Sequence, residues 1–264
     1  MLNDTDRNYI SNLPVGTFQT PIRPQEDAAV KAVDINNLPN GIVTGSNLIQ
    51  FPDTASPEVK ASVALSLLAA QRVASNDHVL KTSDQWIARH NTVLQNLNWL
   101  VESGGAVQSE LKGLNVAVHQ AIIPFLTAAF GGAVVAGALI IAALKNLQSM
   151  NQNSPWITLF DQQSRRFDVT EYMFTVVNVV GDQVHLKMAS ARFNASFGTT
   201  QVLFFKLSKQ QAEFQSVSES LSAQASLLTE MNGDLKVKLA NVTRSFIQSL
   251  PDNLVVLARN SRGL

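Results

Sequence analysis

Between Lys112 and Lys145 the chain carries no lysine, arginine, aspartate or glutamate, and from Ala121 to Leu144 only Thr127 has a side chain that can hydrogen-bond. Ile122, Ile123, Phe125, Leu126, Phe130, Val134, Val135, Leu139, Ile140, Ile141 and Leu144 supply the bulk. Burying each is worth roughly 1.5–3 kcal/mol, so together they amount to about 20–30 kcal/mol. A whole domain retains only about 5–15 kcal/mol of net stability. The segment therefore does not rest in water, and where it hides decides what the chain can do.

Three places are open. One is the protein interior, as a helix apolar all round and wrapped by other elements. The second is a membrane: residues 121–144 are long enough to span one as a helix, and Ala129, Ala133 and Gly137 place small residues four apart on one face. Against a permanent span, neither flank has a basic cluster or an aromatic belt. The third combines the two, with the segment buried in the free protein and exposed at a membrane. Gly131-Gly132 divides it into halves, and Pro124 and the glycines weaken a continuous helix, as a rearranging hairpin requires. The residues expected to touch a membrane or lipid are Ile122, Ile123, Phe125, Leu126, Phe130, Val134, Val135, Leu139 and Ile140. His119, at the mouth of the segment, is the candidate pH trigger, because its protonation near pH ~6.5 and below opposes burial.

Charge excludes other classes. Twenty basic and twenty acidic residues balance to zero, and charged residues make up only 15%. The chain thus lacks the basic surplus that nucleic acid or an anionic membrane surface recruits, and no nucleic-acid partner is expected. There is no cysteine, which removes disulfides, thiolate metal sites and cysteine nucleophiles. The start, Met1-Leu2-Asn3-Asp4-Thr5-Asp6-Arg7, is acidic where a signal peptide is basic. Synthesis in the cytoplasm is expected, with any release following a route independent of a signal peptide.

Along the chain, residues 1–55 read as an arm of loops and short strands, with strands at 32–35, 41–44 and 48–51 and a turn at Asn40-Gly41. Residues 56–150 read as the helical region around the apolar segment. Ser56-Pro57-Glu58 opens its first helix with an N-cap, a proline at the first position and an acid in the first turn. Ser83-Asp84 opens a second, ending at Gly104-Gly105, and a third runs from about Ala106 into the apolar segment. The break Asn151–Pro155 leads into a β region, 151–207, with strands at 156–160, 167–180, 184–197 and 201–207. Gly181-Asp182-Gln183 and Gly198-Thr199-Thr200 are its turns. In 208–250, Phe214, Val217, Leu221, Leu228, Met231, Leu235, Leu239, Val242 and Phe246 fall near a 3.5-residue repeat, read as one long amphipathic helix or as a pair broken at Asn232-Gly233-Asp234. The expectation is an α+β fold forming one compact unit. Helices surround a buried apolar central helix or hairpin, followed by a three- to four-stranded, mainly antiparallel sheet. A long C-terminal amphipathic helix and tail, 208–264, completes it.

Enzymatic signatures are missing. His78, His90, His119 and His185 lie in different elements, with no ligand spacing among them. No G-x-S-x-G elbow, Walker loop or G-x-G-x-x-G is present. Arg165-Arg166 could grip an anion but reads first as a solvated turn, and Trp86, Trp99 and Trp156 read as core anchors. No catalytic residue, metal or cofactor is assigned, and the chain is expected not to be an enzyme.

Gly45-Ser46-Asn47-Leu48-Ile49-Gln50-Phe51, Ser56-Pro57, Leu67-Leu68-Ala69-Ala70-Gln71, Trp86 and Asn98-Trp99 together resemble the Erwinia virulence factor group of bacterial proteins. That resemblance implies an α/β fold, a role in bacterial persistence in insect guts, and a fatty acid held on a cysteine in an apolar cavity. This chain has no cysteine, so covalent acylation is not carried over; a non-covalent lipid or a filled core must replace it. The layout of 57–147 and 208–250 is also similar to that of α-helical pore-forming toxins. The leading expectation is a non-enzymatic virulence or toxin-like protein acting at membranes or holding a lipid through 121–144. The alternative is an interaction or structural protein in which that segment is only core and the C-terminal helix assembles a homo-oligomer.

Overall fold

Hydrophobic alternation in Val169–Val180 and Gln183–Asn194 builds the longest hairpin of the protein, strands β5 and β6, turned at Gly181 with φ +58°. The computed structural model describes residues 2–16, 33–106, 116–130, 137–167, 169–194, 202–204, 206 and 214–254. Around that hairpin runs a mixed eight-stranded sheet, not the three or four strands expected. The other strands are β1 (Gly41–Thr44), β2 (Asn47–Gln50), β3 (Leu100–Ala106), β4 (Arg165–Arg166), β7 (Phe214–Gln224) and β8 (Ile247–Ser249). Their order is β3-β7-β6-β5-β2-β1-β8, with β4 on β5. Every pair is antiparallel except β2 with β5.

The extra strands come from segments whose periodicity points elsewhere. Val217, Glu219, Leu221 and Ala223 alternate with serines, a two-residue period that places them in β7; the expected helix over 208–250 is therefore cut short. Helix α7 occupies only Ala225–Phe246 and continues through Asn232-Gly233-Asp234 without a break. Its first turn is capped from outside: Asp182, in the β5–β6 turn, accepts from the Ser226 amide at 3.0 Å and hydroxyl at 2.8 Å. Gly104-Gly105 lies within β3, because helix α3 (Ser83–Asn96) already stops at Leu97 and Asn98 turns to φ +62°. The cap of α3 is Thr82, in a reciprocal box with Gln85.

Three further expectations are corrected. Residues 156–160 belong to a helix, α6 (Pro155–Gln163), since Pro155 sits at its first turn and Trp156, Ile157 and Phe160 share a buried face. Residues 33–40 form loop and turn; the hairpin turn lies instead at Gly45-Ser46, where Gly45 has φ +56°. Residues 202–204 form a 3₁₀ turn and not a strand. The expected third helix over 107–115, the strand ends 195–201, the turn at 198–200 and the start of the C-terminal helix at 208–213 lie outside the described residues.

Helices flank both faces of the sheet. On β5, Glu171 and Met173 point toward α3, while Tyr172 and Phe174 pack their rings against Phe160 of α6. Helix α2 (Pro57–Asn76) is the one enclosed on nearly every side, with Ala61 through Gln71 buried between α3, α7 and β1. The buried central helix is thus α2 and not the 121–144 segment. Gln71 joins it to the sheet: its Oε1 accepts from the Ser46 amide at 2.9 Å and its Nε2 donates to the Thr44 carbonyl at 3.0 Å. Helix α1 (Asp4–Ser11) rests on α7.

Candidate functional site

The apolar segment becomes two short helices, α4 (Val118–Ala129) and α5 (Ala138–Asn146), packed on each other as a hairpin. Ile122, Phe125, Leu126, Phe130, Leu139 and Ile140 are buried, and Ile123 is half-buried on the outer side. Val134 and Val135 lie outside the described residues. Among the described residues no helix is long and apolar enough to cross a membrane.

Few polar contacts hold the hairpin to the sheet. Gln50 of β2 accepts from the Leu139 amide at 2.9 Å, in the first turn of α5. His119, in the first turn of α4, is buried; its Nδ1 lies 2.7 Å from the Leu203 carbonyl and donates to it. Burial lowers the His119 pKa, against the opposing effect of the hydrogen bond to Leu203. The turn at Val202–Phe204 is fixed in its turn by the buried Asp161, which accepts from the Val202 and Leu203 amides at 3.2 Å each and from Arg165 at 2.8 Å. The Tyr172 hydroxyl donates to the same carboxylate, and burial beside it raises the Tyr172 pKa well above its ordinary value. Asp161 therefore anchors α4 at one remove.

On the opposite face, beneath α3, is a polar cluster that single-element reasoning missed. Glu171 of β5 is buried, accepts from the Ser83 hydroxyl, and pairs with Arg192 of β6 at 3.3 Å. Arg192 also reaches Asp84 at 2.7 Å. Arg166 stacks its guanidinium 3.6 Å from the Trp86 ring centre and donates to the Ser46 hydroxyl at 2.8 Å. Burial pushes its pKa down to about 10, against the pull of Glu171. Arg165 and Arg166 are therefore internal partners and not a solvated turn. His90 stacks on Trp86 and is pushed down to about 4, chiefly by burial; its Nδ1 donates to Asn91 Oδ1 at 3.1 Å. Asn91 in turn donates to both oxygens of Glu219, at 3.0 and 2.9 Å.

A cavity of about 290 Å³ opens between α3 and strands β5, β6 and β7 beside this cluster. The sequence signal for it was Glu171, the single charged residue of the largely apolar β5, since a buried charge is paired or costly. Among the described residues no cluster of three His, Asp or Glu could hold a metal ion.

No family model matches the chain, and no curated protein does. Among solved structures it is similar to that of the Evf virulence factor, with a TM-score of 0.36 and 12% identity over 95% of this chain and 92% of that one. It is also similar to a delta-endotoxin, with a TM-score of 0.32 and 14% identity over 79% of this chain and 91% of that one. Both similarities are distant, and the function rests on the geometry.

Proposed function

We propose that the chain is a non-enzymatic virulence or toxin-like protein that acts at membranes by turning the α4–α5 hairpin out of the fold. The observation that carries this reading is the hairpin's outer surface. A helix lying on a water-soluble protein ordinarily shows charge to solvent. Here the exposed or half-exposed side is Ile123, Pro124, Ala128, Ile141 and Ala142, with Gln120 and Thr127 as its polar members and Lys145 only at the end. Apart from His119 in the first turn of α4, the inner side is apolar and buried. Apart from Lys145 at its end, the hairpin is uncharged on both sides and enters hydrocarbon without desolvating a charge, a step that costs several kcal/mol per ion.

Release into water is closed to it. Ile122, Phe125, Leu126, Leu139, Ile140 and Leu144 are each at most 2% exposed, and uncovering them costs roughly 10–20 kcal/mol. Lipid chains return that energy, so opening is coupled to a bilayer. The short length of α4 and α5 means that each dips into the membrane or that the pair rearranges within it.

The test is release of a trapped dye from vesicles, with flotation of the protein alongside the lipid, between pH 4 and 8. The reading expects both. Absence of both across that range refutes it and leaves the hairpin as core.

A further inference from the structure

We propose that the cavity between α3 and strands β5, β6 and β7 is a binding site for a small organic cation, an amine or guanidine carried on an apolar body. The site stands apart from the α4–α5 hairpin and does not depend on the membrane reading. At about 290 Å³ the cavity sits at the lower end of the range that small-molecule pockets occupy, roughly 300–1,000 Å³. Its lining divides by chemistry. Met173 and Met188 floor it with soft, deformable thioethers, which adapt to an irregular apolar body. Asp84, Glu171 and Glu219 bring three carboxylates to it against the single guanidinium of Arg192.

The charges are not evenly matched. Arg192 serves Asp84 and Glu171, at 2.7 and 3.3 Å, and Glu171 also takes the Ser83 hydroxyl and lies in the field of Arg166. Glu219 receives only the Asn91 amide, and no cation pairs with it among the described residues. Burial raises its carboxyl pKa, and Glu171 adds to that. A half-buried carboxylate facing a neutral amide is short of compensation, and a ligand N–H⁺ supplies it. The cavity that Glu219 lines gives room for that approach. On β3 the residue across from it is Gly104, where a Cβ would stand 3.3 Å from Glu219 Cγ, so the glycine lets the Glu219 side chain lie close against the strand. Anions are turned away by the excess of carboxylates, and the neighbouring guanidinium disfavours a bare metal ion.

The probe is phenethylamine, with phenethyl alcohol and 3-phenylpropionate as its neutral and anionic counterparts. Binding to the full chain is followed by calorimetry and by the methyl signals of ¹³C-labelled methionine. Phenethylamine is expected to saturate and to move Met173 and Met188 while leaving Met231, buried on the inner face of α7, in place. Glu219→Gln, which keeps an acceptor for Asn91, is expected to weaken binding at least about tenfold. Ala88→Leu, which fills the cavity from α3, is expected to abolish it. If Glu219→Gln does not fold, Ala88→Leu still decides. Affinity should also fall in acid, as Glu219 takes up a proton. The proposal is overturned if no saturable shift of Met173 and Met188 appears up to about 10 mM amine, if the alcohol or the acid binds equally, or if a folded variant binds undiminished.

Discussion

Replacing Gln50 by leucine isolates the contact that holds α5 to the sheet. The first amides of any helix lack intrahelical acceptors, and α5 begins at Gly137, which has no side chain to cap it. Gln50 Oε1 fills that role for the Leu139 amide, from a side chain only 4% exposed. Leucine keeps the volume and removes the acceptor, leaving a buried N–H unsatisfied at a cost of about 1–3 kcal/mol. At about 2 kcal/mol, α5 opens roughly 30 times more often. Amide exchange at Ile140 and Leu144 is expected to quicken by that factor, while Phe174, in the middle of β5, changes less. Dye release from vesicles is expected to start sooner in the same proportion. Equal acceleration at Phe174 would show that α5 has no opening of its own. Faster exchange at α5 with unchanged release would show that opening of the hairpin is not what acts on the membrane.

Two further outcomes follow from the same geometry. Gly137 has φ +80°, and a Cβ there would stand 2.7 Å from Phe130 Cδ2, so Gly137→Ala should lower stability by about 1–3 kcal/mol in urea unfolding; an unchanged midpoint would mean that the turn before α5 is not constrained. His90 is held at about 4 against an ordinary value near 6.5, so the unfolded chain takes its proton first, and stability complete above pH ~6.5 drains away between there and pH ~4. His119 pulls in the same direction. Between pH 7.5 and 4.5 the wild type should therefore lose about 2–3 kcal/mol more than His90→Gln, and equal losses would contradict the burial of a neutral ring.

Much of the helical layout could be read from local chemistry. Ser56-Pro57 marks the start of α2, and the Asn151–Pro155 break marks the chain's turn away from the apolar segment, because caps and prolines act within a few residues. The sheet was harder to see. The strands expected at 41–44 and 48–51 are there as β1 and β2, but nothing local sets Asn47 of β2 beside Met173 of β5 or makes a strand of the three residues of β8. In β7 a two-residue alternation and a near-heptad spacing share Val217 and Leu221, and pairing with β6 decided between them. The hairpin residues were legible because an uncharged run has to be covered whatever the fold. The cluster beneath α3 was not, because Asp84, Asn91, Glu171, Arg192 and Glu219 meet only when four elements converge.

The most direct test of the central claim uses the absence of cysteine. Ile140→Cys places a single thiol on the inner side of α5, where the native side chain is fully buried. A maleimide confined to the bilayer then reports whether that side reaches lipid. The thiol is predicted to stay unmodified by water-soluble maleimide in free protein and to be modified by the bilayer reagent once vesicles are present. A thiol that stays protected on vesicles the protein has bound or emptied would contradict the release of α4–α5.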